Sequence, residues 1–258
     1  MTLSDDIYSH DDARAVYRVI KDLELFEGQY FILPEGLAND SNKQEDQSLL
    51  DKKNKFIVSD AGKINHNQDE ISDFLEIDVF RESICGCLNC ELGSTRRNFV
   101  FGSGRHDADI MFVGEAPGEE EDRTGKPFVG PAGELLNKII QAMHFTRNDV
   151  YVCNILKCRP PNNRDPRNAE IENCEPYLVR QIDLIRPRVI CALGRFAAQT
   201  LLRSNESMAR LRLATHSYKG IPVVATYHPA ALLRNPQWKR PTWEDIKKVR
   251  RLCDGVEL

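Results

Sequence analysis

Asp109-Ile110-Met111-Phe112-Val113-Gly114-Glu115-Ala116-Pro117-Gly118 is a short apolar run that stops at a turn of glycine, proline and a carboxylate. The run reads as a strand. The glycines and proline after it form a tight turn that opens backbone N–H groups to a ligand. Working outward, the same grammar recurs. Val150–Leu156, Arg188–Leu193 and Pro222–Thr226 are further short, apolar or β-branched runs. Between them lie the helical stretches Ala132–Met143, Asn168–Ile185 and Arg195–Leu202, and Trp243–Cys253 closes the chain as another helix. Strands alternating with helices predict an α/β fold of three α/β/α layers, with a central parallel four-stranded sheet covered on both faces. Ligands of such sheets bind beyond the carboxyl ends of the strands. That rule singles out Gly114–Gly118, Cys153–Arg159, Gly194 and Tyr227–Arg234. No internal repeat is visible.

The chain has 258 residues, 41% of them hydrophobic and 8% aromatic, enough for one large core plus an appendage. Its net charge of −4 hides an asymmetry. Residues 1–80 hold 8 Lys and Arg against 18 Asp and Glu, a net of −10, and the remainder carries +6. A mildly basic body fits a polyanionic partner. Residues 1–37 are expected to form a helical appendage, with Val16, Val19, Ile20, Leu23 and Phe26 at helical spacing over residues 11–26. Residues 38–75, rich in Asn, Asp, Gln, Ser and Lys, read as a flexible polar linker that cannot bury enough surface to offset its ordering entropy. Within it, Gln47-Ser48-Leu49-Leu50 loosely resembles a peptide that docks on a sliding clamp. Residues 76–258 form the body. Met1–His10 has neither a basic n-region nor an apolar h-region, and no apolar run approaches the ~20 residues that span a bilayer. The sequence therefore predicts a soluble, cytoplasmic monomer with no membrane partner.

Three strand ends carry chemistry-bearing residues. The first leads from Gly114, Glu115 and Ala116 into Gly125-Lys126-Pro127-Phe128-Val129-Gly130-Pro131-Ala132-Gly133. A Phe among glycines and prolines is poorly placed for a core and well placed as a platform for a ring; standing alone, it would read as a loop anchor. Asn154, near the end of the second strand, offers a donor and an acceptor side by side, as a base edge requires. On its own it would be a strand-end turn residue. After the last strand comes Tyr227-His228-Pro229-Ala230-Ala231-Leu232-Leu233-Arg234. His228, held by Pro229, can donate to developing negative charge. Leu232 and Leu233, read as lying in a loop beside Arg234, suit a wedge pushed into a base stack. The plainer reading packs one of the two leucines on the core.

The chain has eight cysteines and no expected signal peptide, so disulfides are not predicted. Cys87-Leu88-Asn89-Cys90 is a C-x2-C pair, and Cys158 and Cys174 are separated by fifteen residues. Four thiolates suit zinc or an iron–sulfur cluster, and the second C-x2-C of a zinc ribbon is missing. Cys85-Gly86-Cys87 leaves the first pair ambiguous. Cys153 and Cys191 fall on strands and read as core, and Cys253 as inert.

Glu115-Ala116-Pro117-Gly118, Gly125 to Gly130, Asn154 to Pro161 and His228 to Arg234 together resemble the signature of the iron–sulfur, or family 4, uracil-DNA glycosylases. The match covers residues 81–258. It implies the fold of that family, excision of uracil from single- or double-stranded DNA in base excision repair, and a nucleoid-associated enzyme. It implies that Phe128 stacks on the extruded base, that Asn154 reads its edge, and that Gly114 and Ala116 belong to the base pocket. By the same resemblance His228 stabilises the departing uracil anion, and Glu115 positions water or stabilises the cationic sugar. Leu232, Leu233 and Arg234 contact DNA, and Cys87, Cys90, Cys158 and Cys174 hold a [4Fe–4S] cluster. Many other uracil glycosylases carry an aspartate where this chain has Ala116, a departure that fits family 4. A related branch traps the sugar covalently through a His in a basic loop; Lys157 to Pro166 has no His, so ordinary turnover is expected.

Two other readings compete. One is a nucleic-acid-binding module with a metal staple and no catalysis. The other is a small-molecule enzyme of the same fold class, but Gly114–Gly118 is not G-x-G-x-x-G and no Walker lysine motif is present. The charge asymmetry yields a first prediction. Removing residues 1–75 should leave glycosylase activity intact and tighten DNA binding at low salt, because like charge is taken away from the phosphates. A folded truncation without glycosylase activity would place the appendage in the active unit.

Overall fold

The computed structural model describes residues 67–255. The compact body begins at Asp69. The helix expected over residues 11–26, the Gln47–Leu50 motif and most of the linker lie outside the described residues. Helix α1, Asn67–Ile84, starts inside the stretch assigned to the linker. Helical order reaches upstream of residue 75 because α1 is anchored by Ile77, which is buried, with Phe80 and Ile84 packed against the same core at helical spacing.

Six strands form one sheet: β1 Ser103–Gly104, β2 Ile110–Gly114, β3 Tyr151–Asn154, β4 Val189–Leu193, β5 Thr215–Tyr218 and β6 Ile221–Thr226, in the order β1-β3-β2-β4-β6-β5. The four central strands are parallel, as expected. The four-stranded sheet is corrected by two antiparallel edges, β1 on β3 and β5 on β6. Neither edge could announce itself as an apolar run. β1 has two residues, and β5 is Thr-His-Ser-Tyr with no buried member. Short, polar edges of this kind also resist pairing with other chains.

The parallel strands are apolar throughout because both faces are covered. Met111, Val113, Tyr151, Cys153, Ile190 and Ala192 point into one core cluster, and Ile110, Phe112, Val152, Val189, Cys191 and Leu193 into the other. This is the period of two expected of strands. The first face is packed by α5, Asn168–Ile185, and α6, Arg195–Leu202. The second is packed by α4, Pro131–Ala142, and α9, Lys239–Cys253. Four short helices complete the described residues: α2 Leu92–Thr95, α3 Glu119–Thr124, α7 Met208–Leu211 and α8 Pro229–Arg234. The loop expected for Leu232 and Leu233 is therefore the helix α8, whose start has His228 as N-cap and Pro229 at the first helical position. No helix among the described residues is long and apolar enough to cross a membrane.

An ionic knot fixes the end of β6. Asp245, on α9, is buried, and accepts from Arg212 Nε at 2.5 Å and from the Thr226 hydroxyl at 2.8 Å. The Arg212 guanidinium also lies 4.4 Å from the centre of the Tyr227 ring, which stacks on Trp238 at 4.5 Å. Burial holds the Asp245 carboxyl above its ordinary range even with Arg212 beside it. Replacing Asp245 by alanine leaves a half-buried guanidinium without its counterion. The expected loss of stability is about 3–5 kcal/mol in chemical denaturation.

Candidate active site

A cavity of about 370 Å³ opens beyond the carboxyl ends of the parallel strands. Glu115 and Ala116 enter it after β2, Asn154 from the end of β3, and His228 after β6. The register explains why these groups meet. Gly114 pairs with Asn154 across β2 and β3, so both strands run out at one level. Gly114 itself does not line the cavity; its contribution is the absence of a side chain. A Cβ there would collide with Asn154 Oδ1 and come within 2.6 Å of Phe128 Cζ.

Asn154 is 1% exposed, yet neither Oδ1 nor Nδ2 has a hydrogen-bond partner among the described residues. A buried amide left unsatisfied is costly, and native structures rarely carry one without a reason. Both atoms belong to a residue that lines the cavity, where a ligand can complete them.

Phe128 is more buried than its loop suggested, at 6% exposure, and joins the second core cluster as well as the cavity wall. Its φ of 53° is uncommon for a bulky side chain and needs support from its surroundings. That support is visible. Arg147 Nη2 donates to the Pro127 carbonyl at 2.8 Å, and Glu121 Oε1 accepts from Val129 N at 3.0 Å and Gly130 N at 3.2 Å. Gly133, in the first turn of α4, lies so close to the Phe128 carbonyl that no Cβ would fit. Glu121 Oε2 also accepts from Gly118 N at 3.0 Å, so one carboxylate joins the turn after β2 to the loop that carries Phe128. Sequence reasoning missed this role. The available signal was an acidic residue three positions after Gly118 at a helix start, the spacing of a capping box. Asn163, Arg164 and Asp165, brought to the cavity by a 3-10 turn at Pro161–Asn163, were also missed. Only the fold delivers that segment there.

His228 and Glu115 respond to burial in opposite directions. The His228 ring lies 5.5 Å from Phe128, and its Nδ1 accepts the Ala230 N–H at 3.2 Å. That bond leaves the proton on Nε2, which becomes the donor. Burial, aided by the positive charge of Arg234, pushes the pKa of His228 down to about 4, so the ring is neutral at physiological pH. Burial and the nearby Asp165 carboxylate push Glu115 up to about 7, with Arg195 partly offsetting them. Arg195 Nη2 donates to Asp165 at 3.1 Å.

Residues 101–247 match the family model described as the uracil DNA glycosylase superfamily. The chain is 46% identical over 184 residues to a type-4 uracil-DNA glycosylase of Archaeoglobus fulgidus, an alignment covering 68% of this chain and 92% of that protein. Type-4 enzymes of Sulfurisphaera tokodaii and Saccharolobus solfataricus are 44% and 45% identical, over 69% and 70% of this chain and 84% and 88% of their own lengths. The chain belongs to the type-4 uracil-DNA glycosylases.

Against that family, the remaining expected residues can be placed. Arg234 lines the cavity, and Leu233 on α8 is 46% exposed. Leu232 is corrected. At 1% exposure it is a core residue on the inner face of α8, and cannot serve as a wedge from there. Cys158 and Cys174 are buried, Cys87 and Cys90 partly so. Cys158 interacts electrostatically with Cys87 and Cys90, and Cys174 with Cys158 and Cys90. Cys85 is exposed, and its thiol donates to the Glu82 carbonyl. Cys153, Cys191 and Cys253 are buried in β3, β4 and α9. Among the described residues no group of three or more His, Cys, Asp or Glu side chains could hold a metal ion.

The two opposed shifts predict a pH profile. His228 stays neutral from about pH 6 upward, so the titration near 7 belongs to Glu115. If the carboxylate is the working form, the single-turnover rate of uracil excision should rise as pH increases through about 7 and then level off. Glu115→Gln should lower the plateau and remove that rise. A wild-type profile flat from about pH 5.5 to about 8.5 would exclude the carboxylate from the rate-determining step.

Proposed function

We propose that the cavity takes a uracil flipped out of DNA and that the groups described above break its bond to the sugar. The observation that carries this reading is the buried, unpartnered amide of Asn154. Its Nδ2 can donate to O4 of uracil while Oδ1 accepts the N3 proton. Cytosine presents an amino donor and an unprotonated N3 at the same places, so both bonds would be lost. Phe128 supplies the stacking face. As the C1′–N1 bond lengthens, negative charge grows on the base and positive charge on the deoxyribose. Asn154 occupies the O4 edge, which leaves O2 to the Nε2 proton of His228. A neutral imidazole suits this task, because Nδ1 is taken by the Ala230 N–H and the proton is left on Nε2. Glu115, when ionised, can stabilise the cationic sugar or orient the water that completes hydrolysis. The products are free uracil and an abasic site. Leu233 and Arg234 are the residues of α8 suited to fill the gap in the stack and to meet a phosphate. The work is base excision repair, done wherever the cell keeps its DNA.

The thiols of Cys87, Cys90, Cys158 and Cys174 would hold a [4Fe–4S] cluster. Their surroundings fit one. Lys157 N donates to Cys174 Sγ at 3.3 Å, Arg96 Nη1 to Cys158 Sγ at 3.4 Å, and Asn89 N and the Tyr177 hydroxyl to Cys87 Sγ at 3.4 and 3.1 Å. Burial pushes the Cys158 thiol up and that of Cys174 up to about 11, and the donors aimed at these two sulfurs partly offset it. The cluster, when bound, supplies a cross-link between the segment before β1 and the sheet, and hydrolysis of uracil needs no electron from it.

The test joins activity to metal. Anaerobically purified protein should be brown, contain iron and sulfide, and produce abasic sites in a uracil-containing single-stranded oligonucleotide. His228→Ala should slow single-turnover cleavage by about 10² to 10³, the ~3–4 kcal/mol of one preorganised donor. DNA affinity should change little, since phosphate contacts dominate it. Wild-type cleavage rates in that variant would move the anion's donor elsewhere, and an inactive wild type would end the reading.

A further inference from the structure

β4 is the parallel strand whose carboxyl end has no part in reading or releasing the base. It stops at Leu193, and Gly194 carries the chain directly into Arg195 at the start of α6. Arg195 Nη2 donates to Asp165 Oδ2 at 3.1 Å, and its guanidinium lies 4.3 Å from the centre of the Phe196 ring. Asp165 is thereby tied to the end of β4, although it belongs to the segment that leads into α5. Its backbone is held as well. Arg164 Nη1 donates to the Asp165 carbonyl at 3.0 Å and to Glu170 Oε2 at 2.9 Å, and Nη2 donates to Glu170 Oε1 at 2.5 Å. Glu170 is buried in the first turn of α5, and Pro166, the residue after Asp165, is buried too. A carboxylate fixed through both its side chain and its backbone therefore lines the same cavity as Glu115.

Burial gives that carboxylate a direction. The buried Asn154 marks the floor of the cavity, where the base is read, and the Asp165 side chain, 72% exposed, stands at the mouth. A base on the floor puts its deoxyribose at the mouth. A surface that only bound phosphates would gain nothing from a carboxylate there, because like charge weakens the contact. The charge that does gain is the positive one that grows on the sugar as the C1′–N1 bond breaks. We infer that Asp165 is a second catalytic carboxylate, which together with Glu115 faces the cationic deoxyribose, and that Arg195 is its positioning residue. Asp165 takes up no proton and forms no bond. The bonding pair leaves on N1 of uracil, the water oxygen closes C1′, and the proton that water loses is matched by the one the uracil anion takes up. An exposed carboxylate is felt weakly in water, but DNA covering the mouth removes that solvent and strengthens its field. This assignment rests on the excision of uracil proposed above.

A cationic and a neutral mimic of the sugar test it. One oligonucleotide carries a pyrrolidine, protonated at neutral pH, in place of the deoxyribose, and the other carries an uncharged tetrahydrofuran. With free uracil present, wild type should bind the pyrrolidine DNA more tightly than the tetrahydrofuran DNA. Asp165→Asn, which keeps the side chain's size and the backbone clamp, should lose about fivefold of that preference. Its affinity for the tetrahydrofuran DNA should be unchanged or tighter. Single-turnover excision should slow by a similar factor, and Asp165→Glu should regain part of both losses. The charged groups that act on Glu115 are Asp165, which raises its pKa, and Arg195, which lowers it. The rise of rate with pH should therefore move to lower pH in Asp165→Asn and to higher pH in Arg195→Gln. A carboxylate that only held the loop together would, when replaced, weaken binding of both oligonucleotides equally. No preference in wild type, or an unchanged preference in Asp165→Asn, would overturn the inference. A wild type that releases no uracil refutes the excision reading itself, before any variant is compared.

Discussion

The pairing of Gly114 with Asn154 at the carboxyl ends of β2 and β3 is the constraint on which the site depends. It sets two strands to end at one level, and it puts a residue without a side chain beside the amide. The Phe128 ring and the Asn154 amide can then share a space that any Cβ at position 114 would occupy. Phe128 reaches that space only in a backbone conformation it would not adopt alone. Arg147, Glu121 and Gly133 hold it there from three directions. A recognition surface of this kind is built before the ligand arrives. The ordering cost is met during folding, so less binding energy is lost when a base enters.

One physical cause, burial, tunes two groups oppositely because they carry charge in opposite forms. Water exclusion disfavours the imidazolium of His228 and the carboxylate of Glu115 alike. The first becomes a neutral donor and the second a carboxyl that titrates near neutrality. The Asp165–Arg195 pair beside Glu115 modulates this, since the carboxylate raises its pKa and the guanidinium lowers it. The N-cap bond from Ala230 does the rest for His228, by choosing its tautomer. The N-cap of α8 is thus also a neutral imidazole in the cavity wall, which couples the local fold of α8 to the site.

The chain also distributes its charge with purpose in the core. Asp245 is enclosed with Arg212 at the end of β6, and Lys157 is buried just beyond β3, where its Nζ donates to the Asn154 carbonyl and to Gln181 Oε1. The first is an ion pair tied to Thr226 and Tyr227, the residues that lead from β6 to His228. The second braces the backbone carbonyl of Asn154 against Gln181. Both stand at carboxyl ends of parallel strands, where the sheet passes from repetitive packing to the loops that carry function.

By itself the sequence determined the alternation of buried strands with helices, because apolar runs bounded by turns and amphipathic periods are local signals. α5 and α6 were legible to the residue, at Asn168–Ile185 and Arg195–Leu202. So were the strand ends that bear Glu115, Asn154 and His228, since those motifs follow apolar runs directly. What it could not display were features whose cause is distant. β1 and β5 lack an apolar pattern and exist only because β3 and β6 offer edges to pair with. Leu232 and Leu233 are equivalent as letters, and the docking of α8 alone decides that one is core and the other exposed. Glu121 looked like one of four acidic residues until tertiary contacts gave its carboxylate three backbone partners. The pKa values of Glu115 and His228 belong to the same class, because desolvation is a property of everything packed around a group and of nothing in its immediate sequence.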